Sequence, residues 1–162
     1  MIRRVAGASL FACCAVLLPV LAMGAVSCSV TATGPAFGIY NPLSATPTYA
    51  NGLVTVSCTL LSGGATTVNL VSSYSTGASG SYALRTMLSG GNPLNYNLFY
   101  DAAYTQIRGD GTGGSQTGGA SLALSASTPT RTATGTIYGR IPALQDPAAG
   151  SYSDTIVVTI TY

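Results

Sequence analysis

Beyond its first segment, the chain offers only four carboxylates for acid–base chemistry: Asp101, Asp110, Asp146 and Asp154. It contains no His, no Lys and no Glu. The usual general base and the commonest metal ligand are therefore missing. Asp101 and Asp110 could be drawn as a glycosidase pair. Asp in Gly- and Pro-rich turns, however, ordinarily binds backbone groups. The residue types thus predict a protein that is not an enzyme and needs no cofactor. Gly109-Asp110-Gly111-Thr112-Gly113-Gly114 resembles part of a calcium-binding nonapeptide, but it occurs once and lacks the repeated aspartates, so it reads as a turn. Arg108-Gly109-Asp110 spells an adhesion tripeptide, and three residues match by chance often. The ten tyrosines could build a sugar-binding surface. At alternating strand positions they are better read as sheet and core packing.

The remaining reactive groups are thiols. Cys13 and Cys14 lie in an apolar N-terminal run, Val5 to Leu21, that follows Arg3 and Arg4. Pro19 interrupts the run, and the small residues Ala22, Gly24 and Ala25 follow it. A positive start, an apolar stretch and a small-residue site are the layout of a cleaved secretory signal. The cut is expected after Gly24 or Ala25, giving a leader at 1–25 and a mature domain at 26–162. The rival is an uncleaved anchor, since the run is nearly long enough to span a bilayer. Pro19 and the small residues favour cleavage, which leaves no transmembrane segment. A lipoprotein site at Cys28 lacks the usual preceding leucine. An exported chain meets an oxidising compartment, so Cys28 and Cys58 are expected to pair. Closing a loop of about 30 residues is worth roughly 3–4 kcal/mol in the chain-entropy picture. Two cysteines with no His could not complete a tetrahedral metal shell.

The mature segment carries four Arg against four Asp, so its charges balance. Nothing in it could neutralise a phosphate backbone, and nucleic acid is excluded as a partner. Near-zero charge also leaves little repulsion between copies, which suits association.

The elements that must position these groups are strands. Thr, Ser, Val and Tyr dominate, Gly and Pro punctuate at short intervals, and no segment has a 3.6-residue period. Strands are predicted at Cys28–Ala32 leading into Phe37–Tyr40, and at Gly52–Leu60 and Thr66–Tyr74. Further strands are expected at Tyr82–Met87, Leu94–Tyr100, Ser121–Ala126, Thr132–Ile141 and Tyr152–Tyr162. Short strands at this spacing mean an antiparallel sandwich or barrel. Gly109–Gly119 reads as a surface loop. The final strand alternates strongly, with Ile156, Val158, Ile160 and Tyr162 on one face. It carries no Lys, Pro or bulge signal after Asp154. An unprotected apolar edge is a template for another strand, which points to β-augmentation.

Seven segments in order resemble the spore coat protein U domain family, the Csu-type subunits of archaic chaperone–usher pili. They are Cys28-Ser29-Val30 with Phe37-Gly38-Ile39-Tyr40, Val54 to Cys58, Arg85-Thr86-Met87, Leu94 to Asp101, Gly109-Asp110-Gly111, Tyr138 to Pro142, and Gly150 to Tyr162 with its Gly-x-Tyr-x-Asp-Thr start. The resemblance implies an all-β, incomplete immunoglobulin-like β-sandwich that lacks its final strand. It implies a periplasmic chaperone that lends a strand, an outer-membrane usher, and other pilus subunits as partners. It also implies passage through the periplasm to a surface pilus or the exterior, in adhesion or biofilm formation. By the same resemblance Tyr152, Ile156, Val158, Ile160 and Tyr162 are the expected chaperone and donor-strand contacts. One departure stands out: two or three residues separate the expected cut from Cys28, where a donor segment would need about ten to span a groove of ~30 Å. The expectation is a subunit that accepts a strand and hardly donates one. The alternatives are a stand-alone secreted spore-coat or matrix protein, or a tip adhesin module.

Overall fold

The structure, a computed structural model, describes residues 24–162. The leader assigned to 1–25 lies outside the described residues apart from Gly24 and Ala25. Eight strands follow in chain order: β1 (Ala25–Thr33), β2 (Thr48–Ser62), β3 (Thr66–Tyr74), β4 (Arg85–Ser89), β5 (Asn92–Phe99), β6 (Gly118–Leu124), β7 (Thr130–Ile141) and β8 (Val158–Thr161). They make a five-stranded sheet, β1-β2-β7-β5-β4, and a three-stranded sheet, β6-β3-β8. Every strand pair is antiparallel. The all-β class is as the composition predicts.

The period-2 pattern sets the register. On β2, Val54, Val56 and Cys58 are buried, while Thr55, Ser57 and Thr59 face outward. Their partners continue the same division: Ser27, Thr59 and Thr130 lie in one row, and Ser29, Ser57 and Thr132 in the next. A hydroxyl contact of 3.0 Å joins Thr59 and Thr130 across the strands. A slip by one residue would turn these hydroxyls inward, so the pattern fixes the pairing. Cys28 and Cys58 are directly opposed on β1 and β2 and form the disulfide.

The core has two parts. One contains Val54, Tyr74, Met87, Leu94, Tyr96, Leu98, Ile137 and Ile141; the other contains Val56, Cys58, Val68, Leu70, Leu122 and Leu124. Burying each such side chain is worth roughly 1.5–3 kcal/mol, so most of the cohesion lies between the sheets.

Three predicted strands differ. Phe37–Tyr40 is irregular, with Gly38 at φ 69°. The strand expected from Tyr82 begins at Arg85, because Tyr82 and Ala83 give their carbonyls to the Asn97 amide (2.9 and 3.2 Å) instead of to a ladder. The final strand is four residues long, not eleven. Ahead of it, Ser153 bridges Leu88 of β4. The Asp154 carboxylate captures the Ala78 and Thr155 amides, and Val157 N donates to Ser75 Oγ. Side chains take some of the hydrogen bonds that a ladder would need, while Ser75 N still donates to Val157 O (3.0 Å).

Candidate functional site

The irregular stretches that follow β1 and precede β8 are the walls of a cleft. One wall is the chain that leaves β1, Gly34 to Phe37; the other is Tyr152 to Val158, leading into β8. The floor is the inner face of the large sheet, with Met87, Tyr96, Leu98 and Ile137. This cleft holds about 470 Å³. A second depression of about 670 Å³ shares Pro35, Phe37, Met87 and Tyr152 with it and runs on over Leu94 and Ile141. The two form one apolar trough.

Local sequence builds each wall. Gly139 on β7 leaves room for the first: a Cβ there would stand 2.7 Å from Phe37 Cζ and 2.9 Å from Pro35 Cβ. The Phe37 ring meets the Tyr96 ring edge-on at 6.0 Å. Farther along, Tyr40 Oη donates to Pro142 O (3.0 Å) and accepts from Gln145 N (2.8 Å). The second wall is held by Asp154. Its Oδ2 accepts from Tyr96 Oη (2.7 Å) and its Oδ1 from Ala78 N (2.9 Å) and Thr155 N (2.8 Å). Gly77, at φ 67°, can lie against the carboxylate only because it has no Cβ. Burial, then the hydrogen bond to Asp154, pushes the Tyr96 hydroxyl well above its ordinary pKa, so it stays a neutral donor. A polar chain thus runs from the turn at Gly77 through Asp154 and Tyr96 to Phe37, across the trough.

The trough shows what a sandwich looks like where a strand is lacking. Val30 of β1, opposite buried Val56, is 46% exposed, and Ala32 beside it is exposed. Among the described residues β8 is an edge strand, paired only with β3. The candidate residues fall along this line. Tyr152 lines both depressions, and Ile156 and Val158 line the first and pack on the first core cluster. Ile160 packs on the second cluster and lines a separate, open depression of about 210 Å³. Tyr162 is exposed and lines neither depression.

Two arginines named only within sequence segments prove to be buried anchors, which also removes Arg108 from any displayed Arg108-Gly109-Asp110 tripeptide. Arg85 is fully buried, and Arg108 nearly so. Arg85 Nη1 donates to Asn97 Oδ1 (2.7 Å), while Nε and Nη2 reach Ser75 O and Nη2 also reaches Arg108 O. Arg108 donates to Phe99 O, Tyr74 Oη and Thr136 O and lies over the Tyr100 ring at 3.8 Å. Burial lowers the Arg85 pKa, yet carbonyls satisfy its donors, as a buried charge requires. The signal was present: Arg85 shares its strand face with buried Met87. Two carboxylates outside the trough hold turns. Asp101 accepts from Thr105 and Gln106, and Asp110 from Thr112.

The model of the Spore Coat Protein U domain matches residues 15–159. The chain belongs to this family. Protein U of Myxococcus xanthus is 30% identical over 133 residues, covering 78% of this chain and 70% of that protein. The fold is similar to a chain in the crystal structure of a CsuC–CsuE chaperone–tip adhesion subunit pre-assembly complex, from the archaic chaperone–usher Csu pili of Acinetobacter baumannii. The TM-score is 0.51 with 17% identity over 85% of this chain. This family member spans 40% of the length of that solved chain.

Proposed function

We propose that this family member is a structural subunit of an archaic chaperone–usher pilus, exported and assembled by accepting a strand into the trough. The observation that carries this is the open trough itself. Its walls are the ends of β1 and β8, its floor is core, and β8 has a free edge. An incoming strand with alternating apolar side chains would hydrogen-bond along that edge and place every second side chain on the core. Tyr152, Ile156 and Val158 are the proposed contacts within the trough, with Ile160 and Tyr162 farther along β8 as the proposed continuation. A periplasmic chaperone is the first occupant in this account, and a neighbouring subunit replaces it after the usher. The fold shared with a chaperone–subunit complex supports this reading. Adhesion or biofilm formation is the proposed outcome.

A test is expression of the exported chain alone and with its cognate chaperone. The proposal expects soluble, folded protein chiefly as a one-to-one complex. Equal yield and stability of the lone chain would contradict it. The family's description as a Spore Coat Protein U domain favours a second reading, a self-sufficient secreted coat protein, and that same result would support it.

A further inference from the structure

We propose that Tyr49 and Tyr104 form a site of oxidative coupling to an intramolecular dityrosine. The two residues stand far apart in the chain, on β2 and on the crossover after β5. Their ring centroids nevertheless lie 4.6 Å apart, with planes tilted by 37°. Rings this close bring their edges into van der Waals contact.

The pair is held in place. Tyr104 has φ 58°, in the left-handed region that non-glycine residues seldom adopt. Its amide donates to Asp101 O (3.0 Å), and the Asp101 carboxylate accepts from the next two amides (3.0 and 2.8 Å). Phe99 and Tyr138 meet the Tyr104 ring edge-on, at 5.6 and 6.2 Å. This scaffold fixes one ring, while Tyr49 is 50% exposed and open to a small oxidant.

Composition channels oxidation here. The chain has no Trp and no His. Both cysteines of the described residues are paired, and Met87 is buried. Tyrosine is thus the accessible one-electron donor on this face. The oxidant is a peroxide acting through a haem peroxidase. Each phenol gives up one electron and one proton, and the peroxide is reduced to water. The two tyrosyl radicals join through a C–C bond between ortho carbons. Each ring then moves its ortho hydrogen to its oxygen and regains aromaticity. The product has lost two hydrogens and ties the crossover to β2.

The test treats dilute full-length exported protein with hydrogen peroxide and a haem peroxidase. Dityrosine fluorescence and peptide mass spectrometry read the product. The expected product is a monomer lighter by two hydrogens, with Tyr49 and Tyr104 in one linked peptide pair and a raised thermal midpoint. Tyr49→Phe and Tyr104→Phe, which keep both rings, each lose the link, and Tyr138→Phe retains it. If Tyr104→Phe fails to fold, Tyr49→Phe decides. Coupling only between molecules, coupling through other tyrosines, or a link that survives Tyr49→Phe would overturn the proposal.

Discussion

The crossover from β5 to β6 and the trough between β1 and β8 meet the same problem with opposite outcomes. At both places the two sheets must be joined across a core. At the crossover, Arg85 and Arg108 reach carbonyls of Ser75, Phe99 and Thr136 and stitch the sheets together. At the trough, among the described residues, the Tyr96–Asp154 hydrogen bond spans the gap without filling it, and Val30 stays half exposed beside buried Val56. One place is satisfied within the chain, and the other is where the proposed incoming strand would sit. The trough is nevertheless shaped: the Asp154–Tyr96 hydrogen bond and the Phe37 contact set its walls.

Breaking the closed region costs most. Arg85→Met strips donors from Asn97 Oδ1 and the carbonyls of Ser75 and Arg108. The expected loss is about 3–5 kcal/mol, from the cost of orphaned buried acceptors, read from the urea midpoint. Replacing Cys28 and Cys58 together by Ser removes the β1–β2 staple. A loss of roughly 3–4 kcal/mol is expected by the same measurement.

Altering the trough sharpens the comparison from the other side. Val158→Asp places an unpaired charge on its wall. Capture by the chaperone is expected to fall by at least about tenfold, which corresponds to 1.4 kcal/mol. Thr132→Asp on the outer face leaves capture unchanged. Pull-down yields compare the two. Tyr96→Phe loses the bond to Asp154, at about 1–2 kcal/mol. Because the Tyr96 pKa is raised in the folded state, its contribution is present below the unfolded tyrosine value. It is lost as pH rises through the folded value. Tyr96→Phe therefore flattens the alkaline limb of stability against pH.

The smallest effect lies on the crossover surface. Hydrogen bonds from Gln106 and Thr105 hold the Asp101 carboxyl below its ordinary range. That contribution is present above the unfolded carboxylate value and lost as pH falls through the folded one. Asp101→Asn is expected to shift the acid limb of a pH–stability curve slightly, leaving the neutral region nearly level.

Sequence reasoning reached what alternation and compartment decide. The Cys28–Cys58 bridge, the two-faced β2 and the antiparallel sheets follow from period-2 burial and oxidation. It missed where side chains replace ladder bonds. Alternation from Tyr152 to Tyr162 reads as one strand, yet an extended chain whose amides bond to Asp154 and Ser75 shows the same alternation. Local sequence marks the burial of Arg85 and Arg108 poorly, because arginine usually sits at the surface and carbonyls, not carboxylates, take most of their donors. The part played by Pro35 and Phe37 depends on Gly139, about a hundred residues away, a contact that no local pattern reveals.

Hydrogen exchange along β1 and β8 tests the central claim most directly. With the chain alone, β8 amides should exchange much faster than those of β2 and β7, and the chaperone should slow them strongly along Val158–Thr161. Full protection of β8 in the lone chain, unchanged by the chaperone, would contradict an open strand-accepting trough.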